Sequence, residues 1–210
     1  MKKRYIRFLL ILVMVFSCFL VSCKNDEKEP EHHTTYESNI PSSFEGILKK
    51  KKLYITSIGQ SFDMGNFMYY LEYLKEEYNF EYVDDSMLLA NEVEDDAIVF
   101  IFVGCSIKAL QESGLSLESE KTRANDFLRK RNEGKITIVS WHTGGNARRG
   151  ATSDELISCV LGGSDLFIYA KGGNEDYFLS DTAINNNVPL YEIDSASQVR
   201  TPLIAMLGSR

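Results

Sequence analysis

The sequence predicts an α/β fold, a Rossmann-like three-layer sandwich of about six mainly parallel strands with helices on both faces. Short apolar segments alternate along the chain with longer segments of helical periodicity, and this order requires parallel strands joined by right-handed crossovers. Four strand-to-helix junctions carry glycine with small polar or basic residues, at positions 59–61, 104–106, 142–149 and 171–174. Because the carboxyl ends of parallel strands share one edge of the sheet, we expect these turns to converge there.

The strands are predicted from runs of apolar, often β-branched residues. The run AIVFIFV at 97–103 is the strongest of them and is typical of a strand that is buried on both faces. The alternating pattern at 80–83 indicates a strand nearer the edge of the sheet. The remaining strands are expected at 53–58, 136–142, 166–169 and 190–193.

The helices are predicted from apolar residues that recur three and four positions apart. The clearest stripe, at 64–74, follows the first strand and is interpreted as core packing rather than as a cofactor site. A linker that contains Gly114 is expected after the third strand. Further helices are expected at 116–132, 153–161, 177–186 and 196–207, and the last of these should tolerate Pro202 poorly.

The first 22 residues are predicted to be a signal peptide. Four cations and no acid precede an apolar run from 8 to 21 that is too short for a comfortable membrane span. The run ends in Leu-Val-Ser-Cys, which resembles the lipobox of bacterial lipoproteins, and by that resemblance Cys23 is lipidated and becomes the mature N-terminus. The expected location is the bacterial cell envelope outside the cytoplasm, with the lipid bilayer as the partner of acylated Cys23. The alternatives are an uncleaved anchor and ordinary secretion.

Residues 23–44 are predicted to comprise the lipidated cysteine and a flexible, polar tether, and residues 45–210 a single α/β domain. The adjacent His32 and His33 of the tether lack a third nearby ligand, so no metal site is predicted there. The formal charge is −7, and removal of the four cations of the leader changes it to −11. This acidic balance argues against nucleic acid as a partner, but it leaves room for a local anion site.

Two cysteines remain in the predicted domain. Cys105 follows a predicted strand, and Cys159 lies among apolar residues of a predicted helix. A disulfide between them is one interpretation for a chain outside the cytoplasm, and burial as a small apolar residue is the favoured one for Cys159. No spacing of cysteine and histidine indicates structural zinc.

The segment 136–155, ITIVSWHTGGNARRGATSDE, is the central candidate for a binding site. Gly144 and Gly145 allow the backbone to approach a ligand closely. Arg148 and Arg149 supply two guanidinium groups whose geometry suits a carboxylate or a phosphate. The structural alternatives are a solvated arginine pair and glycines that serve only a tight turn.

Further candidate residues flank this loop. His142 lies where the strand ends and is the candidate general base, with a strand-end cap as the alternative role. Thr152 and Glu155 have capping-box spacing, which predicts a helix start near Ser153 whose free N–H groups favour an anion. The ligand-binding set is completed by residues of this helix start and of the two earlier glycine turns: Gly59, Gln60, Ser61, Gly104, Ser106, Ser153 and Asp154.

Three sequence features together resemble a family of bacterial, often exported proteins that is known only as a domain of unknown function. They are GQS after the first strand, an apolar strand that ends in Gly-x-Ser, and the block HTGGNARRGATSDE. The resemblance covers about residues 53–207, and the ARRG and SD positions are its specific part. It implies an α/β fold and a site on these loops, and it supplies no reaction and no cofactor.

Three functions fit these residues. The leading hypothesis is a lipid-anchored protein that binds a small carboxylated or phosphorylated anion at the C-terminal edge of the sheet. The second is a hydrolase or transferase acting on an anionic small molecule, with His142 as general base, Asp154 orienting it, and Cys105 or Ser106 as nucleophile. The third is an interaction or scaffold lipoprotein, which a contiguous exposed aromatic patch would favour. No cofactor is assigned, because nicotinamide or flavin would rest on analogy of fold alone.

Overall fold

Six strands pair in parallel into one open sheet in the computed structural model, which describes residues 39–208. The predicted signal peptide, Cys23 and most of the predicted tether lie outside the described residues. The strands are β1 (Leu53–Ile58), β2 (Tyr82–Asp84), β3 (Ala97–Val103), β4 (Ile136–His142), β5 (Leu166–Ala170) and β6 (Leu190–Ile193). Their order across the sheet is β2–β1–β3–β4–β5–β6, which confirms the predicted α/β sandwich.

Helices cover both faces of the sheet. Residues 39–208 contain α1 (Asp63–Tyr78), α2 (Ile107–Glu112), α3 (Leu117–Asn132), α4 (Ala151–Leu161), α5 (Phe178–Asn186) and α6 (Arg200–Leu207). Helices α3, α4 and α5 pack on one face, and α1 and α6 pack on the other. Among these helices, none has both the length and the apolar character that a bilayer span requires.

Strand β3 organises both hydrophobic cores, because all of its side chains are buried. Val99 and Ile101 point to the face of α3 and α4. Phe100 and Phe102 point to the opposite face, where the ring centre of Phe102 lies 4.6 Å from that of Phe67 in α1. The alternation of side chains along a strand thus divides one apolar run between two cores.

Helix α2 occupies the segment that the sequence analysis assigned to a linker. It begins after Ser106, whose hydroxyl oxygen accepts a hydrogen bond from the N–H of Ala109 at 3.3 Å. A helix of this length has too few turns to display an apolar stripe, so periodicity did not reveal it. The linker prediction is therefore wrong for Ile107–Glu112.

Helix α4 begins at Ala151, two residues before the predicted start near Ser153. Gly150 precedes it with a φ of 139° and is the N-cap residue, so the capping box predicted for Thr152 and Glu155 is wrong; the N–H of Gly150 donates instead to Oδ1 of Asp154 at 3.3 Å. Glu155 instead forms an ion pair with Lys121 of α3 at 2.7 Å. A tertiary partner has replaced the local hydrogen bond that the sequence suggested.

Helix α6 accommodates Pro202 without difficulty. A 3-10 turn over Ala196–Val199 precedes the helix, so Pro202 falls within the first turn of α6. The N–H groups of a first turn have no partner inside a helix, so a proline costs little there. The expected conflict disappears because the predicted single helix over 196–207 is two elements.

The described chain begins at the amino edge of the sheet. Ile40 and Phe44, which the sequence analysis placed at the end of the tether, are both buried. A 3-10 turn over Ser42–Phe44 brings Phe44 beside Arg131 and Ile136, at the start of β4. The loops that carry the candidate site leave the other edge of the sheet, so the chain enters the domain from the opposite side.

The strand order reverses between β1 and β3. From β1 the chain crosses to β2 on one side and then returns to β3 on the other. Helix α1 follows β1 on one face, and α3 packs on the other face. Such a reversal opens a crevice at the carboxyl ends of the two strands, and ligands of open α/β sheets bind there.

Candidate functional site

The turns after β1 and β3 are in backbone contact at the strand-order reversal. Gly59 has a φ of 81°, and a Cβ at this position would lie 2.1 Å from the carbonyl oxygen of Gly104. The N–H of Ser106 donates to the carbonyl oxygen of Gly59 at 2.9 Å. Only glycine fits the left-handed conformation at this separation, so Gly59 sets the approach of the two turns.

The two later turns extend the same edge. A Cβ at Gly104 would lie 3.3 Å from Oγ of Ser61 and 3.8 Å from Nδ1 of His142. A Cβ at Gly173 would lie 3.5 Å from Cα of Gly145. All four glycine turns are therefore neighbours along the carboxyl edge, as the sequence analysis expected of parallel strands.

A buried ion pair on α3 supports the first turn. Glu120 is fully buried, and its Oε2 accepts hydrogen bonds from the N–H of Gly59 at 2.5 Å and from Arg123 at 2.8 Å. Arg123 also donates to the hydroxyl of Thr56 at 3.2 Å and to the carbonyl oxygen of Ser57. Every charged group here has a partner, which a buried ion pair requires.

The backbone of the loop after β4 is held by a carboxylate from α1. Oδ2 of Asp63 accepts hydrogen bonds from the N–H of Thr143 at 2.8 Å and from the N–H of Gly144 at 2.9 Å. Asp63 is buried, and its own N–H donates to Oγ of Ser61 at 3.3 Å. The N–H groups of Thr143 and Gly144 are therefore already hydrogen-bonded to a carboxylate of the protein itself, and they are not free to bind an external anion.

His142 is fully buried beneath the loop. Its Nδ1 lies 3.0 Å from the carbonyl oxygen of Val103, and its Nε2 lies 3.3 Å from that of Gly145. Within the described residues, it makes no hydrogen bond to Ser61, Cys105 or Ser106. The imidazole therefore links the ends of β3 and β4, and a general base would need a free ring nitrogen facing a nucleophile.

The neighbouring arginines have different environments. The side chain of Arg149 is 6 % exposed and donates to Asp154 at 2.5 Å, to the carbonyl oxygen of Gly173 at 2.5 Å and to Asp176 at 3.0 Å. Its guanidinium carbon lies 4.5 Å from the ring centre of Phe178. Burial opposes the charge of Arg149, but the two carboxylates outweigh it and raise its pKa. Arg149 and Asp154 thus join α4 to the loop after β5.

Arg148 points the other way and is exposed. Its guanidinium carbon lies 5.0 Å from the ring centre of Phe62, a distance typical of a cation–π contact. Among residues 39–208, no carboxylate lies within ion-pair distance of Arg148. It is therefore the available cation of the predicted pair.

Arg148 borders a crevice between the turns after β1 and β3, which we call the switch-point crevice. Its inner part is a hollow of about 10 Å³ that is lined by Ser61, Phe62, Gly104, Cys105, Ser106 and Arg148. Its outer part is an open hollow of about 320 Å³ that shares Ser61 and Phe62 with the inner part. The outer wall is mainly apolar and includes Met64, Met68 and Ala109. Its polar positions, besides Ser61, are Ser57, Gln60 and Ser86.

Polar groups of the first turn remain available beside this crevice. Gln60 adopts a φ of 56°, which is unusual for a residue with a side chain, and its Nε2 donates to the carbonyl oxygen of Ser86 at 3.4 Å. Within the described residues, no acceptor takes the backbone N–H of Gln60 or of Ser61. Such strained residues with open donors cluster at ligand sites.

The backbone of Cys105 and the hydroxyl of Ser106 have structural partners. The N–H of Cys105 donates to Oγ of Ser153 at 3.0 Å, and Ser106 caps α2. Burial, and then the charge of Glu120, raise the pKa of the Cys105 thiol. A raised pKa reduces the thiolate fraction, so the site does not activate this sulfur. Cys105 and Cys159 are both free thiols.

The comparison with protein families decides the affiliation of the chain. The model of a family described as "Domain of unknown function (DUF6305)" matches residues 50–207. The chain belongs to this family. The DUF6305 domain therefore includes the complete sheet and all four glycine turns. No curated protein and no solved structure matches the chain.

Two acidic residues of the DUF6305 domain have roles that were not predicted from the sequence. Asp63 and Glu120 each hold a glycine turn from another element, and local patterns do not show such long-range partners. The burial of Glu120 could have been predicted, because its spacing places it on the same side of α3 as the buried Ala124 and Phe127. A charged residue within an apolar stripe indicates a buried ion pair. Among residues 39–208, no cluster of three or more ligating side chains suits a metal ion.

Proposed function

We propose that the DUF6305 domain binds a small organic carboxylate in the switch-point crevice, on a chain that is anchored to the membrane through lipidated Cys23. The observation that carries the proposal is Arg148, an exposed guanidinium with no carboxylate partner among residues 39–208, at the mouth of a crevice formed by the strand-order reversal. Arginine binds a carboxylate through two parallel hydrogen bonds, and the contact with the ring of Phe62 leaves the carboxylate-binding N–H groups of Arg148 without a carboxylate partner among residues 39–208.

A single carboxylate fits this site better than a phosphate. Arg149 is saturated by Asp154, Asp176 and a carbonyl oxygen, and the loop N–H groups are occupied by Asp63. A phosphate dianion needs several donors, as in the glycine-rich loops that bind nucleotides. The remaining donors are Arg148 and the backbone N–H groups of the first turn, which match the smaller charge of one carboxylate.

The outer part of the crevice favours an apolar body on the same ligand. Its wall contains Phe62, Met64 and Met68, and its volume of about 320 Å³ is at the lower end of ligand pockets. Methionine adapts its shape to varied apolar groups. We therefore expect an aryl or alkyl carboxylate with the acid group at Arg148 and the apolar end towards Met68.

Binding without chemistry is the interpretation that the geometry favours. Both ring nitrogens of His142 lie beside carbonyl oxygens. Asp154 accepts a hydrogen bond from Arg149 and not from His142. The pKa of the Cys105 thiol is raised. Within the described residues, the hydrolase or transferase hypothesis therefore has no base paired with a nucleophile.

The proposed anchor is compatible with access to the crevice. The described chain starts at the amino edge of the sheet, whereas the crevice opens at the carboxyl edge. The flexible tether predicted between Cys23 and residue 39 has about 15 residues, and a flexible chain of that length spans on the order of 20 Å. A tether of this length would leave the proposed site open to solutes.

The proposal is tested by titrating the full chain, in detergent, with a panel of aryl and alkyl carboxylates and with their uncharged amides. We expect carboxylates to raise the melting temperature and to give a calorimetric signal that the amides lack. Arg148→Gln should weaken binding by about tenfold, the effect of losing one charge-assisted contact. Arg129→Gln, which removes an exposed arginine of α3, is the control and should bind as the parent does. Equal binding by both variants, or no binding by any carboxylate, contradicts the proposal.

A further inference from the structure

The solvent face of α1 carries a repeated pair of tyrosine and glutamate. The segment YYLEYLKE places Tyr69 before Glu72 and Tyr73 before Glu76, each three residues apart. Residues at this spacing are neighbours on a helix surface, with Cβ atoms about 5–6 Å apart. Each pair thus presents an aromatic ring beside a carboxylate, and the second pair repeats the first one turn later.

This face is unusually exposed for aromatic residues. Tyr69 is 79 % and Tyr73 67 % exposed, and both line an open groove of about 740 Å³ between α1 and the start of α6. Large exposed apolar patches on soluble domains mark interaction sites. The face of α1 that carries Tyr69 and Tyr73 is such a patch of exposed aromatic residues, the feature expected above of an interaction protein.

The charge of the groove is not balanced within the domain. Glu72 accepts a hydrogen bond from the hydroxyl of Tyr82, but among residues 39–208 neither Glu72 nor Glu76 has a cationic partner. Arg200, the cation of the described groove lining, is paired with Glu77 at 3.1 Å. The groove therefore keeps an excess of negative charge beside electron-rich ring faces.

The chain itself shows which chemistry suits this surface. The guanidinium carbon of Arg200 lies 5.5 Å from the ring centre of Tyr73, so a cation already contacts one of the two tyrosines. Cations are attracted both to carboxylates and to the faces of tyrosine rings. A cation between the members of either pair would contact both groups.

We propose that this face of α1, the Tyr-Glu face (Tyr69, Glu72, Tyr73 and Glu76), docks an extended segment of a partner protein that carries lysine or arginine at alternate positions. Successive pairs on the helix are four residues apart, a rise of about 6 Å. Alternate side chains of an extended chain point the same way at intervals of about 6.6 Å. Two basic side chains at positions i and i+2 therefore match the two Tyr-Glu pairs.

The test uses the full chain in detergent and a fluorescein-labelled peptide with three lysines separated by single serines. A peptide with glutamate in place of lysine is the charge control. We expect the lysine peptide alone to bind, and its affinity to fall at least about tenfold between 50 mM and 500 mM salt. Equal binding of the glutamate peptide, or no binding of the lysine peptide, overturns the proposal.

Two double variants separate the contributions. Tyr69→Ser/Tyr73→Ser and Glu72→Gln/Glu76→Gln should each weaken peptide binding at least about fivefold, and each should still unfold cooperatively with only a small loss of stability, because the side chains are exposed. Glu112→Gln/Glu118→Gln removes two exposed carboxylates elsewhere and should not change binding. Retention of the parental affinity by both test variants overturns the proposal. So does a concentration-dependent dimer that the tyrosine variant abolishes, because the occupant would then be a second copy of the chain.

Discussion

The carboxylate of Asp63 lies 2.8 Å from the backbone nitrogen of Thr143, although 80 residues separate them in the chain. The same oxygen also accepts the N–H of Gly144. The start of α1 and the loop after β4 are thereby fixed to each other across the edge of the sheet. The loop is held by this internal carboxylate, and the anion site that we propose lies beside Arg148 instead.

We expect Asp63→Ala to lower the free energy of unfolding by about 3 kcal/mol, because two largely enclosed N–H groups would lose their acceptor. Equilibrium urea denaturation of the full chain measures the change. Glu112→Ala, which removes an exposed carboxylate of α2, is the control and should change stability by less than about 0.5 kcal/mol. Similar losses in both variants would show that the two hydrogen bonds contribute little.

The ion pair of Glu120 and Arg123 can be compared with a surface pair of the same spacing on the same helix. Glu120 and Arg123 are buried, whereas Asp126 and Arg129 are largely exposed. Removing one member of a buried pair leaves a charge without compensation, so Arg123→Ala should cost about 3–5 kcal/mol.

A double-mutant cycle to alanine for each pair measures the coupling free energy between its two residues. We expect a coupling free energy of at least about 1.5 kcal/mol between Glu120 and Arg123. The coupling between Asp126 and Arg129 should be below about 1 kcal/mol, as for other exposed pairs. Equal couplings would mean that burial does not strengthen the inner pair.

Two glycines provide opposite expectations for the same substitution. Gly59→Ala forces a Cβ to within 2.1 Å of a carbonyl oxygen at a positive φ, whereas a Cβ at Gly65 in α1 meets nothing within 4 Å. We expect Gly59→Ala to cost at least about 2 kcal/mol and Gly65→Ala to stabilise the domain by about 0.5–1 kcal/mol. Thermal and urea unfolding measure both changes. A stable Gly59→Ala variant would mean that the turns after β1 and β3 can move apart.

The sequence predicts the fold well because the fold depends on patterns that are local. The apolar run of β3 matches its strand residue for residue, and α3 begins one residue after its Ser116 cap. The convergence of the glycine turns follows from the parallel sheet alone. These features need no knowledge of distant partners.

The details of the site were harder to predict because they depend on distant partners. Arg148 and Arg149 are adjacent and identical, and their separate roles are determined by Asp176 on one side and Phe62 on the other. In the sequence, Asp63 resembles any acidic residue in the first turn of a helix, and no local pattern indicates its distant partners. Patterns identify the residues that gather at an edge, and tertiary contacts determine which of them remain free.

The proposed anchor gives a prediction for the part of the chain that precedes the domain. We expect Cys23→Ser to release the chain from membranes, because the acyl chains would be absent and exposed apolar surface would not replace them. Fractionation and the intact mass of the mature chain measure the effect. Cys18→Ser, within the predicted leader, is the control and should leave the chain in the membrane fraction. A Cys23→Ser chain that remains in the membranes argues for an uncleaved anchor.

The contact between Arg149 and Asp176 makes one contribution to stability depend on pH. Burial opposes the charge of Asp176, but the hydrogen bonds from Arg149 and from the N–H of Phe178, together with the charge of Arg149, outweigh it and lower the pKa of this carboxyl below its ordinary value of 3.8. A lowered pKa in the folded state contributes stability that is complete above the unfolded pKa and is lost as the pH falls through the folded pKa.

Because Asp176 is 61 % exposed, the contribution is at most about 1 kcal/mol. We therefore expect the parent to exceed Asp176→Asn in free energy of unfolding at neutral pH, and the difference to vanish as the pH falls through the lowered pKa of the folded state. The same comparison in an Arg149→Met background should show a smaller difference with a weaker dependence on pH, because only the hydrogen bond from the N–H of Phe178 remains. A pH-independent difference between the parent and Asp176→Asn would assign the effect to the Asp176 hydrogen bond with Phe178 rather than to its charge.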